Sequence, residues 1–433
     1  MLDFKKFFSS IADAGQNIIG KKTIKKDLPS ILQLCDDLIS FKGVASGIAI
    51  AREITEIYNV FDTDQKLSFF KEVNKKFSPN PDEVEKKINT YIHEKSKKNL
   101  NSLGSSIEGQ RQELIRRLNM APNGTPFLVS MREDLLKFLP NNSDLKDLDE
   151  DIRHLFRSWF NPGFLRLERI TWDTKAAVLE KVMKYEKVHK ITDMNDLKRR
   201  LQQEDRRFFA YFHPVLEDEP LIFLEVAFTK DIGSSIQEII KPKTDDKTDY
   251  DTATFYSISN CQEGLMRVTL GNFLIKRAVF EIMEENPKIK NFGTLSPIPG
   301  FADWYRSLNQ EKLQDILKGY DIKKLEFLNS PNLKIGDPKM IEEKEALKKL
   351  VAHYLINEKI NNKPLNPVSR FHLGNGASIH NILINGNTSD YGYKESFGIM
   401  VNYGYQLNKL EKIHEDYITK GIISYSDKIK KYV

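Results

Sequence analysis

The sequence predicts an α+β fold, with an N-terminal all-α helical bundle over residues 1–158 followed by a mixed-sheet domain over 159–433. Three observations carry this reading. Up to about residue 160, apolar residues recur at intervals of three and four, the period of a buried helical face. Beyond that point, aromatic and β-branched runs alternate with turn signals, as strands do. The second half then runs strand, strand, strand, glycine-bearing turn, helix, strand. A chain of 433 residues, 40% hydrophobic and 29% charged, is long enough for two or three cores.

In the first half, Leu145, Leu148, Ile152, Leu155 and Trp159 form one stripe, which Asn161-Pro162-Gly163 terminates. Thr125-Pro126 reads as a helix N-cap followed by proline at the first helical position. Leu128, Met131, Leu135 and Phe138 continue that helix, and Pro140 ends it. Ile107, Leu114, Ile115 and Leu118 mark a further face. These stripes are core packing, and the bundle they build has a scaffold or oligomerisation role. The first 26 residues are basic with an apolar face and predict an initial helix. They lack the apolar core of a secretory signal, and Asp3 and Asp13 count against a transit peptide.

In the second half, helices are expected near 174–187 and 193–203. RFFAYFH (207–213) and LIFLEVAF (221–228), linked by EDEP, predict an antiparallel hairpin. A charged loop over 241–250 leads to a third strand, TATFYSIS (252–259). The turn NCQEGLMRVTLGN (260–272), with Gly264 and Gly271, feeds a helix over 272–285. NFGTL (291–295) is the fourth strand.

Charge and composition exclude several classes. The net charge of +5 arises from 66 basic and 61 acidic residues spread along the chain, without the basic clustering of a nucleic-acid binder. No apolar run is long enough for a membrane helix. Two cysteines, Cys35 and Cys261, make no disulfide framework and fit a reducing compartment. The eight histidines form no HxxxH or HxH pair, so no metal is expected. A cytoplasmic location follows, with organellar targeting left open.

Two stretches carry chemistry. In LSPIPGF (295–301), Ser296 leaves a strand end and meets Pro297 and Pro299, which fix two φ angles and remove two donors. The stretch is either a rigid corner or a preorganised hydroxyl. The second is RFHLGNG, with His372 between an apolar pair and a flexible Gly-Asn-Gly. A serine with a histidine partner suits a hydrolase, but the chain has no GxSxG elbow. The turn before the 272–285 helix is either a plain turn or an anion site at a helix N-terminus. It is neither a Walker A loop nor a GxGxxG loop. Lys276 and Arg277 on that helix read as phosphate contacts or as solvated surface. The layout of three antiparallel strands, turn, helix and strand resembles an acetyl-CoA-binding acyltransferase core.

Longer blocks carry a specific resemblance. SWFNPGFLRLERITWDT (158–174), YEKVH (185–189), FFAYFHPVLEDEPLIFLEVAFT (208–229), FYSISNCQEGL (255–265), LGNFLIKR (270–277), LSPIPGF, FHLGNGASIH and GIMVNYGY occur in order from about residue 158 to 407. They resemble the malonyl-CoA decarboxylase family, and the segment before 158 fits its helical domain more loosely. The resemblance implies an acetyltransferase-like (GNAT-type) catalytic domain over 159–433. It implies a helical domain that helps to build a homotetramer or other homo-oligomer, and conversion of malonyl-CoA to acetyl-CoA and carbon dioxide without a cofactor. The family's catalytic serine matches Ser296 (proton acceptor, substrate hydrogen bond) and its histidine matches His372 (proton donor). Its CoA-contacting turn matches Met266, Arg267, Val268, Thr269, Leu270, Gly271 and Asn272, with no catalytic role for Thr269. Ser257, Asn402 and Tyr403 are second-tier candidates whose hydrogen bonds are either structural or catalytic.

The implied chemistry needs no electron sink beyond the substrate, since the thioester carbonyl accepts the electrons released with carbon dioxide. The protein must hold CoA, stabilise the enolate and protonate carbon. Which of Ser296 and His372 delivers that proton is not readable from sequence. Two other readings compete. An acyl-CoA-dependent N-acyltransferase of the same fold would require an amine acceptor, and an acyl-CoA sensor would bind without turnover.

Overall fold

The computed structural model describes residues 9–15, 25–40, 43–241, 249–268, 274–330 and 333–433, and among these, seven helices occupy the stretch from Leu28 to Trp159. They are α1 (Leu28–Ser40), α2 (Val44–Asn59), α3 (Thr63–Lys76), α4 (Pro81–His93), α5 (Lys97–Leu118), α6 (Gly124–Phe138) and α7 (Lys146–Trp159). Of the expected initial helix, residues 9–15 are described and helical. The chain divides into two compact units. The first comprises Met1–Leu165 with the turns His213–Glu219 and Gln262–Leu270, and the second comprises the remainder.

In the first unit the stripe on α7 is buried at Leu148, Ile152 and Leu155, joined by Phe156, while Trp159 is half-buried. A capping box of Asp62 and Gln65 starts α3. Tyr58, Phe69, Phe70 and Phe127 form an aromatic core, the Tyr58 and Phe127 rings meeting edge to face at 5.4 Å. Two local expectations fail. The start of α6 is Gly124, with Asn123 before it at φ +60°, rather than a Thr125 cap. A Cβ at Gly124 would lie 2.6 Å from the carbonyl oxygens of Leu118 and Asn119, so only glycine lets the chain enter the helix there. The Thr125 hydroxyl instead donates to Asn119 Oδ1 at 2.7 Å. Ile107 is exposed, because Gly109 at φ +69° breaks the helical phase of α5 and turns it off the stripe that buries Leu114, Ile115 and Leu118.

The second unit is a mixed sheet with helices. Strands β1 (Arg166–Arg169), β2 (Arg206–Phe212), β3 (Pro220–Thr229) and β4 (Thr252–Asn260) run antiparallel in that order. Helix α10 (Leu274–Glu285) then carries the chain to β5 (Asn291–Thr294), which lies parallel to β4. A parallel neighbour requires such a crossover. Strand β10 (Met400–Tyr405) pairs antiparallel with β5 and, further along, with β6 (Ser296–Pro297); β9 (Ser378–Leu383) pairs with it as well. A separate ribbon joins β7 (Lys359–Ile360) and β8 (Lys363–Pro364). This element order is acetyltransferase-like, as expected.

Helices α8 (Ala176–Tyr185) and α9 (Met194–Gln202) cover the sheet, and Val178, Leu179, Val182, Leu197 and Leu201 share a core with Phe208, Phe212 and Phe223. Later helices are α11 (Phe301–Ser307), α12 (Lys344–Ile356), α13 (Pro367–Gly374) and α14 (Leu410–Lys420). The sheet holds one buried acid, Glu225, facing Arg200 at 3.2 Å. Burial pushes its carboxyl up to about 8 against the pull of the guanidinium. No helix of the described residues is long and apolar enough to cross a membrane.

Candidate active site

The site begins where two parallel strands part. Strand β4 pairs with β5 only as far as Phe255 with Thr294, and the Leu295 amide donates to the Phe255 carbonyl at 2.9 Å. Past that point β4 continues to Asn260 paired only with β3, while β5 passes into β6 along β10. A bulge beside Glu225 and Val226 leaves Tyr256 unpaired with β3. The parting opens a cleft of about 270 Å³, walled by Tyr256 and Ile258 on one side, by Leu295 and Ser296 on the other, and by Phe371 and His372 of α13. Except for Asn260, Ser296 and His372, its wall is built from hydrocarbon, aromatic rings and backbone.

Ser296 sits at the parting point with its hydroxyl buried. Its Oγ lies 3.2 Å from His372 Nε2 and 2.7 Å from Thr294 Oγ1. Thr294 and Ser296, two apart, share one face of the strand path. Thr294 Oγ1 also accepts the Tyr403 N–H at 3.2 Å. The corner after Ser296 is fixed through the Pro299 carbonyl, which accepts from Asn366 Nδ2 at 3.0 Å and from the Tyr354 hydroxyl at 3.2 Å. Gly300, at φ +75°, then turns the chain into α11.

His372 is presented by α13, which starts with Asn366 as N-cap and Pro367 at its first position. Asn366 therefore ties both halves of the site: its Oδ1 caps Ser369 N and its Nδ2 holds Pro299. The imidazole stacks on Tyr403 with centroids 4.6 Å apart, and its Nδ1 lies 2.8 Å from the Tyr405 hydroxyl. Burial drives its pKa down to about 3, so the ring is neutral at physiological pH.

The second-tier residues have defined places. Asn402 donates to the carbonyls of Thr294 and Gly233, pinning the end of β5. Tyr403 provides the ring under His372. Ser257 donates to Glu186 Oε2 at 2.6 Å, and the other oxygen of Glu186 accepts the N–H groups of Val188 and His189. The Ser257 hydroxyl is thus committed to bracing the cleft wall at Val188. Lys276 pairs with Glu411 rather than standing as free surface. In the expected CoA turn, Met266, Arg267 and Val268 follow a single 3₁₀ turn (Glu263–Leu265), with Arg267 at φ +62°. Thr269, Leu270, Gly271 and Asn272 lie outside the described residues. Thr294, Tyr405 and Asn366 were not singled out in the sequence. The i, i+2 spacing of Thr294 with Ser296, and of Tyr405 with Tyr403, was the available signal.

The fold is α+β, a helical unit and a mixed sheet parted at one strand end, with a serine and a buried histidine in contact in the gap. The chain belongs to the malonyl-CoA decarboxylase family: residues 163–433 match the model of the malonyl-CoA decarboxylase C-terminal domain, and 77–160 that of the N-terminal domain. It is 36% identical over 346 residues to the mitochondrial malonyl-CoA decarboxylase of Anser anser anser, covering 74% of this chain and 68% of that one. The crystal structure of malonyl-CoA decarboxylase from Rhodopseudomonas palustris superposes with a TM-score of 0.88 at 40% identity, covering 94% of this chain and 99% of that one. The enzyme from Agrobacterium vitis gives a TM-score of 0.85 at 41% identity, over 93% and 99% of the two chains.

Proposed function

We propose that this protein is a malonyl-CoA decarboxylase that converts malonyl-CoA to acetyl-CoA and carbon dioxide with Ser296 and His372. The observation that carries the reading is the 3.2 Å contact of Ser296 Oγ with a neutral, buried His372 in an otherwise apolar cleft. The Met266–Asn272 turn contacts CoA in this reading.

The chemistry follows from the charges. The malonyl carboxylate enters a cleft whose described wall carries no cationic side chain. Loss of carbon dioxide converts a localised carboxylate into a delocalised thioester enolate, a change that a dry wall favours. With Thr294 Oγ1 accepting the Tyr403 N–H and His372 Nδ1 accepting from Tyr405, this reading has Thr294 and His372 Nε2–H donate to Ser296 Oγ, which directs the serine proton into the cleft toward substrate oxygen. A fixed donor of this kind contributes about 10²–10³-fold.

Carbon protonation is assigned to His372 in its neutral form. Nε2–H gives its proton to the enolate carbon while the Tyr405 hydroxyl passes a proton to Nδ1. The O–H and Nε2–H bonds break and the Nδ1–H and C–H bonds form; the phenolate then takes the Nδ1 proton back as Nε2 recovers one from water, which restores the starting tautomer. The enolate carbon is a far stronger base than imidazolate, so delivery to carbon drives the relay, including the step that burial makes costly at the Tyr405 hydroxyl.

Purified protein given malonyl-CoA alone tests this directly. Equal amounts of carbon dioxide and acetyl-CoA without acceptor or added cofactor are expected; binding without release refutes the decarboxylase. Amine acylation is not favoured.

The same reading makes 1–158 an oligomerisation domain and 159–433 the catalytic domain. Helix α4 supports the first, since it buries none of its residues within the chain and leaves Ile88 and Ile92 exposed. A homotetramer is the expected assembly, to be checked by light scattering. Cys35 and Cys261 are buried thiols outside any disulfide, which fits a reducing compartment.

A further inference from the structure

One buried cation has no place in the chemistry above. Arg132, on α6, has a fully buried side chain. Its Nε donates to Asp149 at 2.8 Å, and its Nη1 donates to the carbonyls of Gly264 (2.6 Å) and Met266 (2.9 Å). The same face of α6 touches the turn again one helical turn earlier: a Cβ on Gly264 would sit 2.0 Å from the Val129 carbonyl oxygen. All these residues belong to the first unit. An arginine on a helix normally reaches water, and a carbonyl pair normally finds an amide. Here the guanidinium is spent on the backbone of one short turn.

The orientation of that backbone has a consequence. In a trans peptide, C=O and N–H point in opposite directions. With the Met266 carbonyl drawn in to Arg132, the Arg267 amide must point away from α6. The other amides nearby are used inside the turn: Leu265 N donates to Gln262 O, Met266 N to Glu263 O, and Val268 N to Leu265 O. Arg267 N has no partner among the described residues. Arg267 also holds φ at +62°, a conformation that a non-glycine residue keeps only when its surroundings impose it. An outward amide in such a turn is a donor for an anion.

We propose that Arg132 of the helical unit is a positioning residue for CoA: by holding the Gly264 and Met266 carbonyls it presents the Arg267 amide to a phosphate of the ligand. This rests on the assignment of the turn to CoA.

The test compares malonyl-CoA with malonyl-pantetheine, which carries the same acyl thioester without the CoA phosphates. Arg132→Lys keeps the charge beside Asp149 but cannot bridge two carbonyls as a guanidinium does. Gly264→Ala pushes the turn off α6 from the other side. For each folded variant, KM for malonyl-CoA is expected to rise at least ten-fold and kcat to fall less than three-fold, with turnover of malonyl-pantetheine within two-fold of wild type. Equal losses on both substrates, or no change in KM in either variant, overturns the role of Arg132. The underlying assignment is read separately, from CoA-induced protection of the 264–268 amides against hydrogen exchange in the wild type. Absence of that protection removes the CoA turn itself, and this proposal with it.

Discussion

His372 Nδ1 lies 2.8 Å from the Tyr405 hydroxyl, on the opposite side of the imidazole from Ser296. The ring is therefore held at both nitrogens by neutral partners, and among the described residues no carboxylate is hydrogen-bonded to it. That distinguishes the arrangement from a hydrolytic triad, in which an acid stabilises a forming imidazolium. Here burial disfavours the imidazolium, and in the proposed mechanism the ring conducts a proton while staying neutral.

Ser296→Ala and His372→Asn each remove one of the two groups that the proposed mechanism sets against the acyl portion. Turnover is expected to fall about 10²–10⁴-fold in each. Affinity for CoA, measured by calorimetry, should stay within about three-fold of wild type under the same principle that separates transition-state from ground-state contacts. Near-normal turnover in both variants would sink the assignment.

Tyr405→Phe removes only the hydroxyl at Nδ1. The relay then lacks its source, and kcat should fall by at least about ten-fold, the low end of acid–base contributions. Substrate KM should change little. A kcat equal to wild type would mean that His372 recovers its proton by another route.

The pH profile separates a neutral histidine from an ordinary one. Burial places His372 at about 3 in the folded chain, against an ordinary histidine value of 6.5. The ring does not titrate between these values in the free enzyme, so kcat/KM is expected to show no break near 6.5 from this group. A clear break there that disappears in the His372→Asn variant would contradict the neutral form.

The same shift sets a stability trend. Between pH 6.5 and about 3 the unfolded chain protonates this histidine while the folded chain does not. The stabilisation is complete above 6.5 and is lost as pH falls, with a limiting slope of about 1.4 kcal/mol per pH unit for one such group. Urea midpoints of His372→Asn should fall less steeply over that window than those of wild type. Parallel curves would show that His372 is not the group responsible.

Asn366→Ala should destabilise without touching substrate. Asn366 is fully buried and caps α13 while holding the Pro299 carbonyl. Loss of a cap and of a buried hydrogen bond costs about 2–3 kcal/mol together. Denaturant unfolding would register that loss, and an unchanged midpoint would show that neither contact contributes.

Local patterns were legible in the sequence and long-range pairings were not. The β2–β3 hairpin and the crossover through α10 follow from alternation, turn residues and helical period, all local signals. The stiff corner after Ser296 could be read from its prolines. Its meeting with a histidine 76 residues away could not, and it was reached by resemblance to a family. Tyr405 escaped notice because a tyrosine at a strand end looks like core until its partner is seen. Arg132 escaped because an arginine on a helix reads as solvated surface, and nothing local says that two carbonyls await it. The misplaced start of α6 has the same cause, a close approach of Gly124 to distant backbone.

Strand β10 serves as partner to β5, β6 and β9 at once, and this fixes when the site can come into being. A ribosome delivers Ser296 and His372 well before it delivers Met400–Tyr405, and until then the strand end carrying the serine has nothing to lie against. Domains generally acquire structure as units during synthesis. A nascent chain stopped short of Tyr405 would hold every sequence block around the serine and the histidine yet no assembled pair. Assembly of the pair therefore arrives in a single late event, as β10 docks, and fragments released before it are expected to leave the thioester untouched.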